Sequence, residues 1–139
     1  MALFPQKRGA LIGEPMTLPE PLLRAYPELS QAQYRRGGLP PRIGGWCLGA
    51  RTVAGITLGH TVWLAPDADL TPELLLHELA HVRQWRSVRW FALRYVWQCV
   101  LRGYTHNAYE VAARQAARDQ LGPPYAAVTN SQDRRQSLG

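Results

Sequence analysis

The stretch Thr71-Pro72-Glu73-Leu74-Leu75-Leu76-His77-Glu78-Leu79-Ala80-His81-Val82-Arg83-Gln84-Trp85 decides how this chain is organised. Thr71 can cap a helix, Pro72 fits a first turn where its missing N–H costs nothing, and Glu73 suits the positive end of the helix dipole. Leu75, Leu79 and Val82 recur at i, i+4 and i+7, and Leu76 and Ala80 widen the stripe, so one side of the helix should be buried. His77 and His81 stand four residues apart, which puts their Cβ atoms about 5–6 Å apart on one face, near enough to share a metal ion. Two neutral imidazoles suit zinc, and a carboxylate one residue after the first histidine can reach a water on the ion without binding the ion itself. The HExxH pattern therefore makes His77 and His81 candidate ligands, Glu78 a candidate general base, and zinc the expected ion. The plainer reading is two unrelated histidines flanking a helical glutamate.

A catalytic zinc normally has three protein ligands and one open position. Downstream, Tyr104-Thr105-His106-Asn107-Ala108-Tyr109-Glu110-Val111 offers Glu110 and His106. With Asn107 as N-cap, Glu110 is also placed to close a capping box, and His106 could be a surface residue in the preceding turn. Glu110 is preferred, because the helix from about Asn107 to Leu121 is rich in alanine (Ala108, Ala112, Ala113, Ala116, Ala117) and can approach the metal helix closely.

The rest of the chain frames these residues. With 139 residues and 46% hydrophobic composition it should form one cored domain, and no fixed-period repeat is present. Residues 1–16 read as an N-terminal arm, 17–122 as the domain, and 123–139 as a loosely ordered tail. Leu18 to Tyr26 can open a short helix behind Pro19 and Pro21; Gln31 to Arg36 is taken as a strand. From residue 43 to 65 β-formers alternate with glycines, and 52–58 and 60–65 are expected as antiparallel strands joined at Gly59-His60. An exposed edge of that small sheet could pair with an extended peptide.

Between Glu78 and Glu110 there is no acidic residue, while Arg83, Arg86, Arg89, Arg94 and Arg102 fall inside the interval. Val88 to Arg102 reads as an apolar helix with a narrow stripe of Arg89, Arg94, Gln98 and Arg102, too short to span a bilayer. A helix packed deep in the core is expected, with an interfacial membrane helix or partner surface as the alternative. The net charge of +6 is spread thinly, and no nucleic-acid module is recognisable, so no nucleic-acid partner is expected. Cys47 and Cys99 lack metal or disulfide spacing and read as small buried groups in a reducing compartment. Met1 to Arg8 has no uninterrupted apolar run, which makes the cytoplasm the expected location.

His77-Glu78-Leu79-Ala80-His81-Val82-Arg83-Gln84 followed by Asn107-Ala108-Tyr109-Glu110-Val111-Ala112-Ala113-Arg114 resembles the gluzincin-type zinc metallopeptidases, in particular small minimal zincins of bacteria. Ala54 to Leu64 is similar to the strand pair that precedes the motif in such domains, and the resemblance covers about residues 27–121. It implies an α+β, minimal zincin-like fold: a small antiparallel sheet packed on the HExxH helix and a following helix with the third ligand. It further implies zinc held by His77, His81 and Glu110, Glu78 as general base, and a peptide or protein substrate. Tyr104, Tyr109 or His106 would donate to the oxyanion. Many gluzincins carry an acidic residue four positions after the third ligand, where this chain has Arg114. The group that orients a ligating histidine is then expected from a backbone carbonyl, Asp67 or Asp69. The alternative function is a silent metal-binding module that docks a protein or an anionic membrane.

Overall fold

A four-stranded sheet sits against the HExxH helix, and a second helix packs on the same helix from another side. The computed structural model describes residues 11–41 and 54–122. In chain order these give β1 (Glu14–Met16), α1 (Glu20–Ala25), a 3-10 helix (Pro27–Gln31), β2 (Gln33–Arg36), β3 (Gly55–Leu58), β4 (Thr61–Leu64), α2 (Pro72–Ser87), α3 (Phe91–His106) and α4 (Ala108–Leu121). Residues 42–53, which include Cys47 and the start of the strand expected over 52–58, lie outside the described residues, as do the expected arm before Leu11 and the tail after Gly122.

The hairpin forms where the glycines and β-formers pointed. β3 and β4 pair antiparallel from Gly55 opposite Leu64 to Leu58 opposite Thr61. Gly59 supplies φ 64° in the two-residue connection, a conformation that an L side chain rarely adopts. The α+β class holds, but the sheet is mixed rather than antiparallel throughout, with strand order β1-β2-β4-β3. β2 runs parallel to β4, Tyr34 opposite Val62, because the long connection between them lets the chain re-enter the sheet in the same direction. Glu14–Met16, expected within the arm, is instead an edge strand antiparallel to β2. A three-residue strand containing Pro15 has too little alternation to read, and Pro is tolerated at a sheet edge.

α2 starts as Thr71-Pro72 dictates: the Thr71 side chain accepts a hydrogen bond from Leu74 N at 3.2 Å. Its apolar side, Leu75, Leu76, Leu79 and Val82, is buried in one cluster with Val62 and Leu64 of β4 and with Leu18, Leu29 and Tyr34. Each fully buried leucine contributes about 1.5–3 kcal/mol, so this face alone fixes how α2 lies on the sheet. Arg36 ties the chain before α2 to β2, donating from Nη1 to the Pro66 carbonyl at 2.8 Å. On the other side, α4 lies along α2. Ala113 and Ala117, four apart, are fully buried, and their small side chains give the close approach expected of the alanine-rich helix.

α3 departs from expectation. Of its side chains only Phe91 is buried; Trp97 is 62% exposed and the preceding Trp90 65%. Apolar periodicity describes a face, and the face here turns outward instead of into a core. The helix is broken near its end by Gly103 (φ 71°, ψ 168°).

Candidate metal centre

α2 and α4 bring three side chains to one point. His77 and His81 lie one turn apart on α2, and Glu110 is in the first turn of α4. His81 Nε2 is 3.2 Å from His77 Nε2. The two oxygens of Glu110 divide between them, Oε2 at 3.0 Å from His77 Nε2 and Oε1 at 3.1 Å from His81 Nε2. Among the described residues this is the group of histidine, cysteine and carboxylate side chains that could hold a metal ion. His106, the other candidate, is exposed at the end of α3 and outside the group.

Glu110 is delivered by Asn107. The Asn107 side chain is fully buried, caps α4 by accepting from Tyr109 N at 2.9 Å, and donates from Nδ2 to the Tyr95 carbonyl and Cys99 Sγ, both at 3.1 Å. One residue thus starts α4 and locks it to α3. The capping box that Glu110 could have closed does not form; its carboxylate turns to the imidazoles instead.

Several residues that sequence reasoning missed hold His81 and Glu110 in place. His81 Nδ1 is 2.8 Å from Gln84 Oε1, and Gln84 Nε2 donates to the Tyr109 carbonyl at 2.9 Å. That second bond fixes the amide so that its oxygen faces His81; His81 must then carry its proton on Nδ1, and Nε2 is directed at the cluster. Gln84, not Asp67 or Asp69, is the orienting group; both aspartates are exposed. The signal available was a glutamine three residues after a ligand on the same helix. Tyr95 on α3 donates to Glu110 Oε1 at 2.6 Å, and its ring stands edge-on to His81. Arg114 neither pairs with Glu110 nor faces free solvent, since its guanidinium donates to the Thr105 carbonyl at the end of α3.

The charges are mutually supporting. Burial would raise the Glu110 carboxyl, but the two imidazoles and the Tyr95 hydroxyl outweigh it and hold Glu110 well below the usual carboxylate range. Burial would likewise lower His81, yet Glu110 and the charge of Glu78 win and raise it. Glu110 Oε2 is buried and close to His77 Nε2 but is not aligned as a hydrogen-bond acceptor. One ligand atom from each of His77, His81 and Glu110 lies within 4.8 Å of the others, which makes the three a possible metal site.

Glu78 is 4% exposed and points toward β3. Its Oε2 accepts from Thr57 Oγ1 at 2.7 Å, and a Cβ on Gly55 would come within 3.0 Å of its Oε1. Gly55 is therefore small because the carboxylate lies against it. Among the expected oxyanion donors, Tyr104 is the one beside the carboxylates: burial, then Glu110 and Glu78, raise its hydroxyl far above the ordinary phenol range and keep it protonated. The Tyr109 ring instead packs on Phe91.

No protein-family model, no curated protein and no solved structure matches this chain. Its chemistry is read from its own geometry.

Proposed function

We propose that this protein is a zinc-dependent metallopeptidase with a minimal zincin-like arrangement, in which His77, His81 and Glu110 hold the ion and Glu78 is the general base. The observation that carries the reading is the convergence of two imidazole nitrogens and a carboxylate at 3.0–3.2 Å on one side of α2. Such a donor set suits zinc, which acidifies a water and polarises a carbonyl. Thr57 holds one oxygen of Glu78 and leaves the other to take a proton and pass it to the leaving amine. Tyr104, kept protonated, donates to the developing oxyanion.

A peptide substrate fits because Glu78 lies against β3, and β3 is the edge of the sheet among the described residues. In a hairpin closed by a two-residue turn at 59–60, Leu58 and Ile56 exchange hydrogen bonds with β4, so the backbone groups of Gly55 and Thr57 face outward. Trp85 Nε1 donates to the Thr57 carbonyl at 3.1 Å and closes that position. The Gly55 amide and carbonyl and the Thr57 amide are presented to an added strand directly beside the general base.

The test is direct. Protein purified without added metal should contain one zinc per chain by elemental analysis and should cleave members of a broad peptide library. Glu78→Gln should retain the zinc and lose about 10²–10⁴ in rate. Wild-type cleavage no greater than that of Glu78→Gln would refute the peptidase reading, and zinc retained in full by Glu110→Ala would refute the ligand set.

A further inference from the structure

The geometry points to a second function for α3: its outward face docks onto an anionic lipid bilayer. The inference is independent of the metal centre. Phe91, Tyr95, Gln98 and Cys99 turn toward the protein, whereas Leu93 (67% exposed), Trp97 and Val100 (72% exposed), with Val96, Leu101 and Trp90, form a continuous apolar face on the other side. Scattered exposed apolar residues are ordinary; five on one face of one helix, with Trp90 at its N-cap, are not. No helix among the described residues is long and apolar enough to cross a membrane. The section before the Gly103 break would therefore lie flat, with its apolar face sunk into the headgroup boundary.

Charge decides the occupant. The segment from residue 79 to 109 carries five arginines and no acidic side chain. Arg94, exposed, borders the apolar face on one side, and the Arg89 guanidinium stands 5.9 Å over the Trp90 ring where the helix begins. A second copy of α3 laid against this face would bring two wholly cationic borders together. An anionic bilayer accepts the apolar face and neutralises the border, with arginine stems lying along the boundary and tryptophan at headgroup depth. Trp90 is also the one non-glycine residue with positive φ among the described residues, at 61°, so the chain tolerates left-handed backbone at the edge of this face.

The experiment is vesicle flotation with the full chain, using mixed phosphatidylcholine–phosphatidylglycerol vesicles and phosphatidylcholine vesicles, each at low and high salt. Binding to the mixed vesicles at low salt, weakened by salt and much weaker on phosphatidylcholine, is expected. The triple variant Leu93→Gln/Trp97→Gln/Val100→Gln leaves net charge unchanged, alters only exposed positions, and should weaken binding more than about a hundred-fold. Arg89→Gln/Arg94→Gln should weaken it by about five-fold per arginine. Equal binding by the triple variant would mean that net charge alone is responsible and would overturn the proposal. So would equal binding to both vesicle types, absence of binding at low salt, or a lipid-free dimer that the triple variant dissociates. Peptidase activity in solution plays no part in any of these outcomes.

Discussion

Gln84 holds His81 through a hydrogen bond of 2.8 Å between side chains three residues apart on one helix, and the same amide is anchored at its other end by the Tyr109 carbonyl. The contact links α2 and α4, which carry His77, His81 and Glu110. Gln84→Ala should leave the fold intact and weaken zinc about 10–100-fold, because His81 loses the acceptor that sets its tautomer. Competition with a chromophoric chelator measures it; unchanged affinity would show that His81 is oriented by packing alone.

Gly55→Ala tests the placement of Glu78. The new Cβ would meet Oε1, Cδ and Cγ of Glu78 at 3.0–3.2 Å, so the carboxylate must shift. Zinc content should be unchanged, since Glu78 is not a ligand, while kcat/KM falls roughly ten-fold or more, as misplacement by about 1 Å costs on the order of 10². Full activity in this variant would mean that Glu78 has room to move.

Thr57→Val removes the donor to Glu78 Oε2 while keeping the shape of the side chain. Leaving that buried oxygen without its donor should destabilise the protein by about 1–3 kcal/mol, and Thr57→Ser should restore most of the loss. Denaturant unfolding of the three proteins checks the order; a Val variant as stable as the wild type would contradict the hydrogen bond.

Asn107→Ala should be among the most damaging single changes away from the ligands. It removes the α4 cap, worth about 1 kcal/mol, and the bond from Asn107 Nδ2 to the Tyr95 carbonyl, for about 0.5–1.5 kcal/mol more. Asn107→Asp keeps the cap acceptor but not the donor and should fall between the two. Thermal unfolding of the metal-free proteins reports this without interference from zinc.

Much of this was legible in sequence, and the reason is locality. Thr71-Pro72 fixes the start of α2, the leucine stripe fixes its buried side, and His77 and His81 follow from helical spacing. Gly59-His60 marks the hairpin turn because the turn needs positive φ. Glu110, the preferred candidate for the third ligand, does lie beside His77 and His81, because a helix of small residues can approach α2. Thr57, Tyr95 and Gln84 were not read, since each acquires its role from a partner 15 to 25 residues away or from a tautomer that only the assembled site dictates. The depth of α3 was misjudged because apolar spacing predicts a face without saying what lies opposite it.

The ligand set has a consequence for how the protein assembles. Two of the three ligands are neighbours on one helix, so even a loosely formed α2 offers metal a partial grip. Glu110 joins only when a loop of about thirty residues has been closed, which costs entropy that grows slowly with loop length. With the proposed ligands, affinity for zinc would therefore rise sharply at the moment α4 docks, and the ion would act as a clasp that rewards completed folding more than early collapse. The same clasp would tie the α3–α4 unit to the sheet.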